Sequence, residues 1–328
     1  MLEIFRSNSL FSILGLLLFT VLIRLSIFFI PLPLEPALHT PFAELIFDWL
    51  EEHKLFAFQL PVLATLLVFL QGLLVNFISD AHDILYKRSV MPGLFYVLLN
   101  SLYPEQLLLS PQLLANTFVI LILYRLCYLY ESERPLFLVF DAAILLGIGL
   151  LLDYDLIFYL LYILLSVLFM TSFNIRFWLA AIFGIFIPAY FLGVYFFLTD
   201  QLGDFLVSFQ YSISKSYLNP IGITWVEGVI WFIIIPIFVF SAIALQINFL
   251  RNKVKTRRIQ LIIILLQVFG VISVLAENQM YVFGLTFLSI SLSIFMANYF
   301  IRSQRKILKD ILFILMIVCI LYYHFIRS

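Results

Sequence analysis

"PLPLEPALHTPFAELIFDWLEEHK", residues 31–54, holds five carboxylates, two histidines and four prolines in an otherwise apolar chain. Glu35 and His39 stand at its head. A carboxylate can serve as a general base, and a histidine can do so near pH 7. Glu35 lies between Pro33 and Pro36, which favours a stiff, extended loop. The stretch has three readings: a lid, an anchor lying on a membrane, or the remains of an active site. "LLDYDLIF" adds Asp153 and Asp155, either solvated end caps or a second acidic site. Arg24 falls inside a long apolar run, where an ionisable side chain is a functional candidate by default. It either reaches outward to the interface or meets a lipid phosphate. Asn116, Asn76, Asn100, Gln246 and Gln267 are placed to bond between helices. Arg125 and Asp141 would pair if their spans are neighbours.

The elements that must position these residues are membrane spans. Apolar residues make up 64% of the 328 and charged ones only 12%, against roughly a quarter charged in a soluble domain. Apolar runs at 9–30, 56–78, 90–104, 112–130, 136–152, 156–173, 177–198, 225–249, 259–276, 280–300 and 311–326 predict about eleven spans. The fold class is therefore all-α, a polytopic transmembrane helical bundle forming a single membrane domain, 1–328. "MLEIFRSN" precedes an apolar run with no small-residue cleavage site, so it reads as a retained first span. Cys127 and Cys319 both fall in spans, which excludes a disulfide framework. A net charge of zero gives no sign of nucleic-acid binding. No P-loop, dinucleotide-binding glycine pattern, nucleophile elbow or HExxH appears.

Basic residues set the orientation. With the N-terminus inside, the inner loops hold Arg6, Lys87, Arg88, Arg125, Arg134, Arg176, "RNKVKTRR" and "RSQRK". The acids collect on the other side, either as a solvated rim or as a face for a cation, a metal or a basic partner. There, Thr40 is placed as an N-cap with Pro41 at the first helical position. Phe42, Leu45, Ile46, Trp49 and Leu50 then make one apolar stripe at helical spacing. The predicted helix is too short and charged to span, and should lie in the outer interface.

First span, outer loop, interfacial helix, second span: this order resembles the start of the GT-C class of glycosyltransferases. "FAELIFDWLEE" looks like the helix that follows their catalytic acid. "PGLFYVLLNSLYPEQLLLSPQLLANTFVILILYRL" is similar to their third and fourth spans, and "LFDAAILLGIGLLLDYDLIFYLLYILL" to the fifth and sixth. The likeness covers residues 1–175 as a GT-C-like module, with 176–328 as further spans. The chain as a whole is similar to a family of polytopic inner-membrane proteins of Bacteroidota, on "MPGLFYVLLNSLYPEQLLLSP" and "GLTFLSISLSIFMANYF". That likeness implies a multi-pass protein of the bacterial inner membrane and supplies no activity.

The GT-C resemblance implies transfer of a sugar from a polyprenyl-phosphate lipid, with a divalent cation among the acids of many members. Here Leu38 and His39 stand at the expected acidic pair and Asn116 at the second acid. Glu35 and His39 become the candidate catalytic groups. Arg24, Asn116, Asp153 and Asp155 become candidate contacts for substrate or lipid. The expectation is a protein handling lipid-linked glycan at the outer leaflet, as an enzyme or a degenerate relative. The alternatives are a non-catalytic scaffold with an envelope protein partner, and a secondary transporter using the proline-bearing spans of Pro188 and Pro236.

Overall fold

A computed structural model describes residues 2–28, 40–53, 59–85, 87–171, 173–203, 205–207, 225–249, 252–276, 281–302 and 306–326. Regular structure among them is helical. In chain order the α-helices are α1 (Leu10–Ile23), α2 (Pro41–Glu52), α3 (Gln59–Ala81), α4 (Met91–Leu99), α5 (Pro111–Cys127) and α6 (Pro135–Leu152). Then come α7 (Phe158–Met170), α8 (Ile175–Leu198), α9 (Trp225–Phe249), α10 (Val254–Ala276), α11 (Tyr281–Arg302) and α12 (Lys306–Ile326). Among the described residues, seven helices are long and apolar enough to cross a membrane. The chain is a multi-pass membrane protein.

The third predicted span, 90–104, takes a different form. Only Met91–Leu99 is α-helical, nine residues, and every one is buried. At 1.5 Å per residue that is about 14 Å, half a bilayer core. The chain then turns, and Pro104–Leu107 makes one 3-10 turn before α5. The length of an apolar run does not reveal such a stop, because a buried half-span and a crossing span have the same composition.

α11 is the hub. Its span is 89% buried, against 17% for that of α8. It packs on α4, α5, α9 and α10, while α6 packs on α5 and α8. Close approach is made by small residues, as helix pairs in lipid require. At Gly93 of α4 a Cβ would stand 2.5 Å from Asn76 Nδ2 and 2.7 Å from the Gly72 carbonyl on α3. Pro188 of α8 lies against Gly147 of α6, so this proline is packed in a helix contact.

One end of the bundle is tied by basic residues. Arg6 and Lys309 both donate to the carbonyl of Phe300, at 3.4 and 2.8 Å. Lys255 pairs with Glu131 at 2.6 Å, and Arg258 donates to the Met170 carbonyl at 2.7 Å while lying over the Tyr130 ring. The predicted Arg125–Asp141 pair is present between α5 and α6 at 3.6 Å.

α2 forms where expected. The Thr40 hydroxyl accepts from the N–H of Ala43 at 3.2 Å, as an N-cap does. Its inward face is rotated from the predicted stripe: Ala43, Phe47 and Leu50 are buried and Trp49 is exposed. The apolar surface is shared, one edge packing on α6 and the other facing outward.

Candidate functional site

Polar side chains that lipid would reject are gathered near the end of the bundle opposite the basic ties. Arg24 closes α1 and is fully buried. Its guanidinium neither reaches outward nor stands open to a ligand phosphate. One terminal nitrogen donates to the Asn100 carbonyl at 2.9 Å and to the Ser101 hydroxyl at 3.4 Å. The other donates to the carbonyls of Gln106 and Leu107, both at 2.9 Å. Asn100 is the C-cap of α4, and Gln106 and Leu107 close the 3-10 turn that follows it. The last carbonyls of a helix lack intrahelical donors and carry its negative dipole end. A guanidinium with five donors suits several carbonyls at once. Its Nε has no partner among the described residues.

The turn that supplies those carbonyls is itself held. Gln106 accepts from the N–H of Tyr103 at 3.4 Å and donates to the Val282 carbonyl at 3.1 Å. His324 of α12 bridges the Ser26 hydroxyl and the Ser101 carbonyl, both at 3.0 Å. A carbonyl only accepts, so Nε2 carries a proton, while the Ser26 hydroxyl can either donate to Nδ1 or accept from it.

From Asn100 the network runs inward. The Asn100 amide donates to the Ser289 hydroxyl at 2.7 Å, which donates to the Thr286 carbonyl at 2.6 Å. Asn116 donates to that same carbonyl at 3.0 Å and to the Tyr96 hydroxyl at 2.7 Å. Tyr96 donates to Gln71 Oε1 at 2.7 Å, and Gln71 donates to the Leu113 carbonyl and the Thr117 hydroxyl, both at 2.8 Å. Arg24 and Asn116, both proposed as ligand contacts, thus belong to one continuous network within the protein. An apolar pocket beside Ser289, lined by Leu99, Trp231 and Leu285, is small enough for one water to fill.

Asp153 and Asp155 form a second cluster where α6 ends. Asp153 Oδ1 accepts from the N–H of Asp155 at 3.0 Å, which starts the 3-10 turn Tyr154–Ile157. Their exposures are only 5% and 6%, so they are not solvated end caps. Thr40 donates to the carbonyl of Leu152 at 3.4 Å, which docks the start of α2 beside this acidic turn. Glu35 and His39 lie outside the described residues, as do Leu38, Gln210, Tyr211, Lys215 and Tyr217. Among the described residues, no three His, Cys, Asp or Glu side chains come together as a metal site.

No protein-family model, no curated protein and no solved structure matches this chain. The geometry therefore carries the functional reading.

Sequence reading named some of the network correctly. Asn76 accepts from Gly93 N–H at 2.6 Å across α3 and α4, and Gln267 accepts from Ser291 across α10 and α11 at 2.6 Å. It missed Gln71, Tyr96, Gln106, Ser289 and His324. For all but Gln106, which lies in the turn between two runs, the signal was available: each is a hydrogen-bonding side chain inside an apolar run. Gln246 has no side-chain description.

Proposed function

We propose that this chain is a GT-C-like protein of the bacterial inner membrane, with its N-terminus inside, that handles a polyprenyl-phosphate-linked glycan at the outer leaflet. The observation that supports it is the buried acidic turn of Asp153 and Asp155 beside the start of α2. In the GT-C class a carboxylate near this helix takes the acceptor's proton. With Leu38 and His39 at the expected acidic pair, Asp153 is the base we assign. The acceptor hydroxyl gives its proton to the carboxylate as its oxygen bonds the sugar's anomeric carbon. The bond from that carbon to the phosphate oxygen breaks, and polyprenyl phosphate leaves. A positioned base of this kind is worth about 10²–10⁴ in rate.

A second reading, a non-catalytic relative that binds lipid or an envelope protein, is favoured by one observation. Arg24 and Asn116, the groups best suited to a lipid phosphate, are engaged by protein carbonyls and a tyrosine hydroxyl.

Mass spectrometry of lipid co-purified with the full chain separates the two. The first reading expects polyprenyl phosphate or its glycan in the purified protein. It also expects sugar transfer that falls about 10²–10⁴-fold in Asp153→Asn while the lipid stays bound. Bound lipid without transfer in the wild type supports the second reading. Absence of polyprenyl lipid overturns the first.

A further inference from the structure

A row of buried polar side chains runs through the bundle apart from the Arg24 network. Tyr159, Tyr162 and Ser166 stand at i, i+3 and i+7 of α7, along about 10 Å of one helix face. All three are 0% exposed. Ser273 of α10 stands beside the Tyr159 hydroxyl, and Ser166 beside that of Tyr162. Yet no aligned hydrogen bond reaches any of the three hydroxyls among the described residues.

The row continues at both ends. Toward the acidic turn, Tyr159 lies within electrostatic reach of Asp153. Toward the basic end, Tyr162 lies within the same reach of the buried Cys127 thiol, which adjoins Tyr128. The Tyr128 ring meets that of His82, with centroids 4.6 Å apart. His82 is buried, and neither ring nitrogen has a partner among the described residues. The charged groups near it are Lys255, Glu131 and Asp83.

Buried polar groups in native proteins are nearly all hydrogen-bonded. The exceptions at Tyr159, Tyr162, Ser166 and His82 share a chemistry. A hydroxyl both donates and accepts, and an imidazole has two nitrogens, so each can take up one proton and release another. The Arg24 network cannot pass protons this way, because its branches end on backbone carbonyls, which only accept. Aspartate and histidine joined in a row inside a membrane protein are the material of proton relays.

We propose that this row carries protons between the acidic turn of Asp153 and the basic end at His82. A proton arriving at one end moves by exchange: each hydroxyl takes a proton on its oxygen as it passes its own to the next group. Water bridges the steps that are longer than a hydrogen bond. His82 binds the proton at one nitrogen and releases it from the other. One proton enters as one leaves, so no bond to carbon changes and no oxidant or reductant takes part. A membrane potential or a pH difference supplies the drive. The path shares Asp153 with the site proposed above but does not require sugar transfer.

The full chain in phosphatidylcholine vesicles with a trapped pH-sensitive dye tests this. A potassium gradient with valinomycin sets an inside-negative potential. Wild type should acidify the lumen faster than protein-free vesicles, in proportion to the protein present. Tyr162→Phe keeps the ring, removes the hydroxyl and should lose that excess; His82→Phe should lose it too. Tyr322→Phe, at a ring 61% exposed on the outside of the bundle, should keep it. Should Tyr162→Phe fail to fold, Tyr159→Phe carries the same expectation. Wild type no faster than protein-free vesicles overturns the proposal. So does a folded Tyr162→Phe that conducts like wild type, or an equal flux of sodium, which marks a general leak.

Discussion

Arg24 Nη1 sits 2.9 Å from the carbonyl oxygen of Asn100, so an arginine at the end of the first helix caps the fourth. Among the described residues, no carboxylate bonds this buried cation; three backbone carbonyls and one hydroxyl do. The charge is matched by partial charges fixed in the backbone. Its function here is to complete a half-length helix.

Replacing Arg24 by Met should therefore destabilise the fold severely. The carbonyls of Asn100, Gln106 and Leu107 would be left buried without that donor, a loss on the order of 3–5 kcal/mol. Arg24→Lys should recover part of it, since an ammonium lacks the planar fork. Thermal melts in detergent, followed by tryptophan fluorescence, measure the difference.

Tyr96→Phe should cost less, about 1–2 kcal/mol, because interhelical bonds in membranes are individually modest. It deprives Gln71 of a donor and Asn116 of an acceptor while leaving the ring in place. The check is the same melt, with Asn116→Ala and the double variant completing a cycle. A coupling near zero would show that the relay does not act as a unit.

How much of this was legible in the sequence depends on range. Thr40 and Pro41 announced α2 because a cap is local chemistry, and Arg125 and Asp141 announced their pairing because adjacent spans are neighbours. The partners of Arg24 were hidden, since they are main-chain carbonyls at the end of α4 and in the 3-10 turn after it. Periodicity put Trp49 on an apolar stripe that could face lipid or neighbouring spans; α6 takes one edge of that stripe and leaves Trp49 exposed. The acids at 153 and 155 were visible as types, but their burial follows from the packing of their 3-10 turn on α6, α7 and α10.

Gly93→Ala should lower stability by about 1–3 kcal/mol, the usual effect of overpacking. Its methyl would meet Asn76 and the Gly72 carbonyl, so α3 and α4 must separate. That movement also weakens the bond from Gly93 N–H to Asn76, at 2.6 Å. A melt of this variant against a Gly203→Ala control, where a Cβ meets nothing, isolates the contact.

His82, just past α3, predicts an acid sensitivity. It is buried, its ring packs edge-on against Tyr128, and neither nitrogen has a partner among the described residues. Burial first, then the Lys255 charge, lowers its pKa to about 4, against the opposing pull of Glu131 and Asp83. The unfolded chain, near its ordinary 6.5, binds more protons between those values. The stability contributed by the neutral ring is thus present above about pH 6.5 and is lost as pH falls toward 4. Wild type should lose Tm over that window relative to His82→Phe. Parallel pH–Tm curves would refute it.

The Nε2–H of His324 should be visible directly. In protein labelled with ¹⁵N at histidine, Nε2 should carry a proton. The opposite assignment would require Ser101's carbonyl to face an unprotonated nitrogen.

The hub position of α11 has a consequence for synthesis. A chain is made from its N-terminus, so α4 and α5 enter the membrane well before Thr286, Ser289 and Val282 exist to meet them. Until then Asn100, Asn116 and Gln106 lack those partners, and Ser26 waits longer still for His324. The early helices are thus held in an incomplete state whose polar groups attract any available donor or acceptor. Membrane assembly of this protein finishes from its end backward, and a ribosome stalled before residue 281 would leave a first half with an open core.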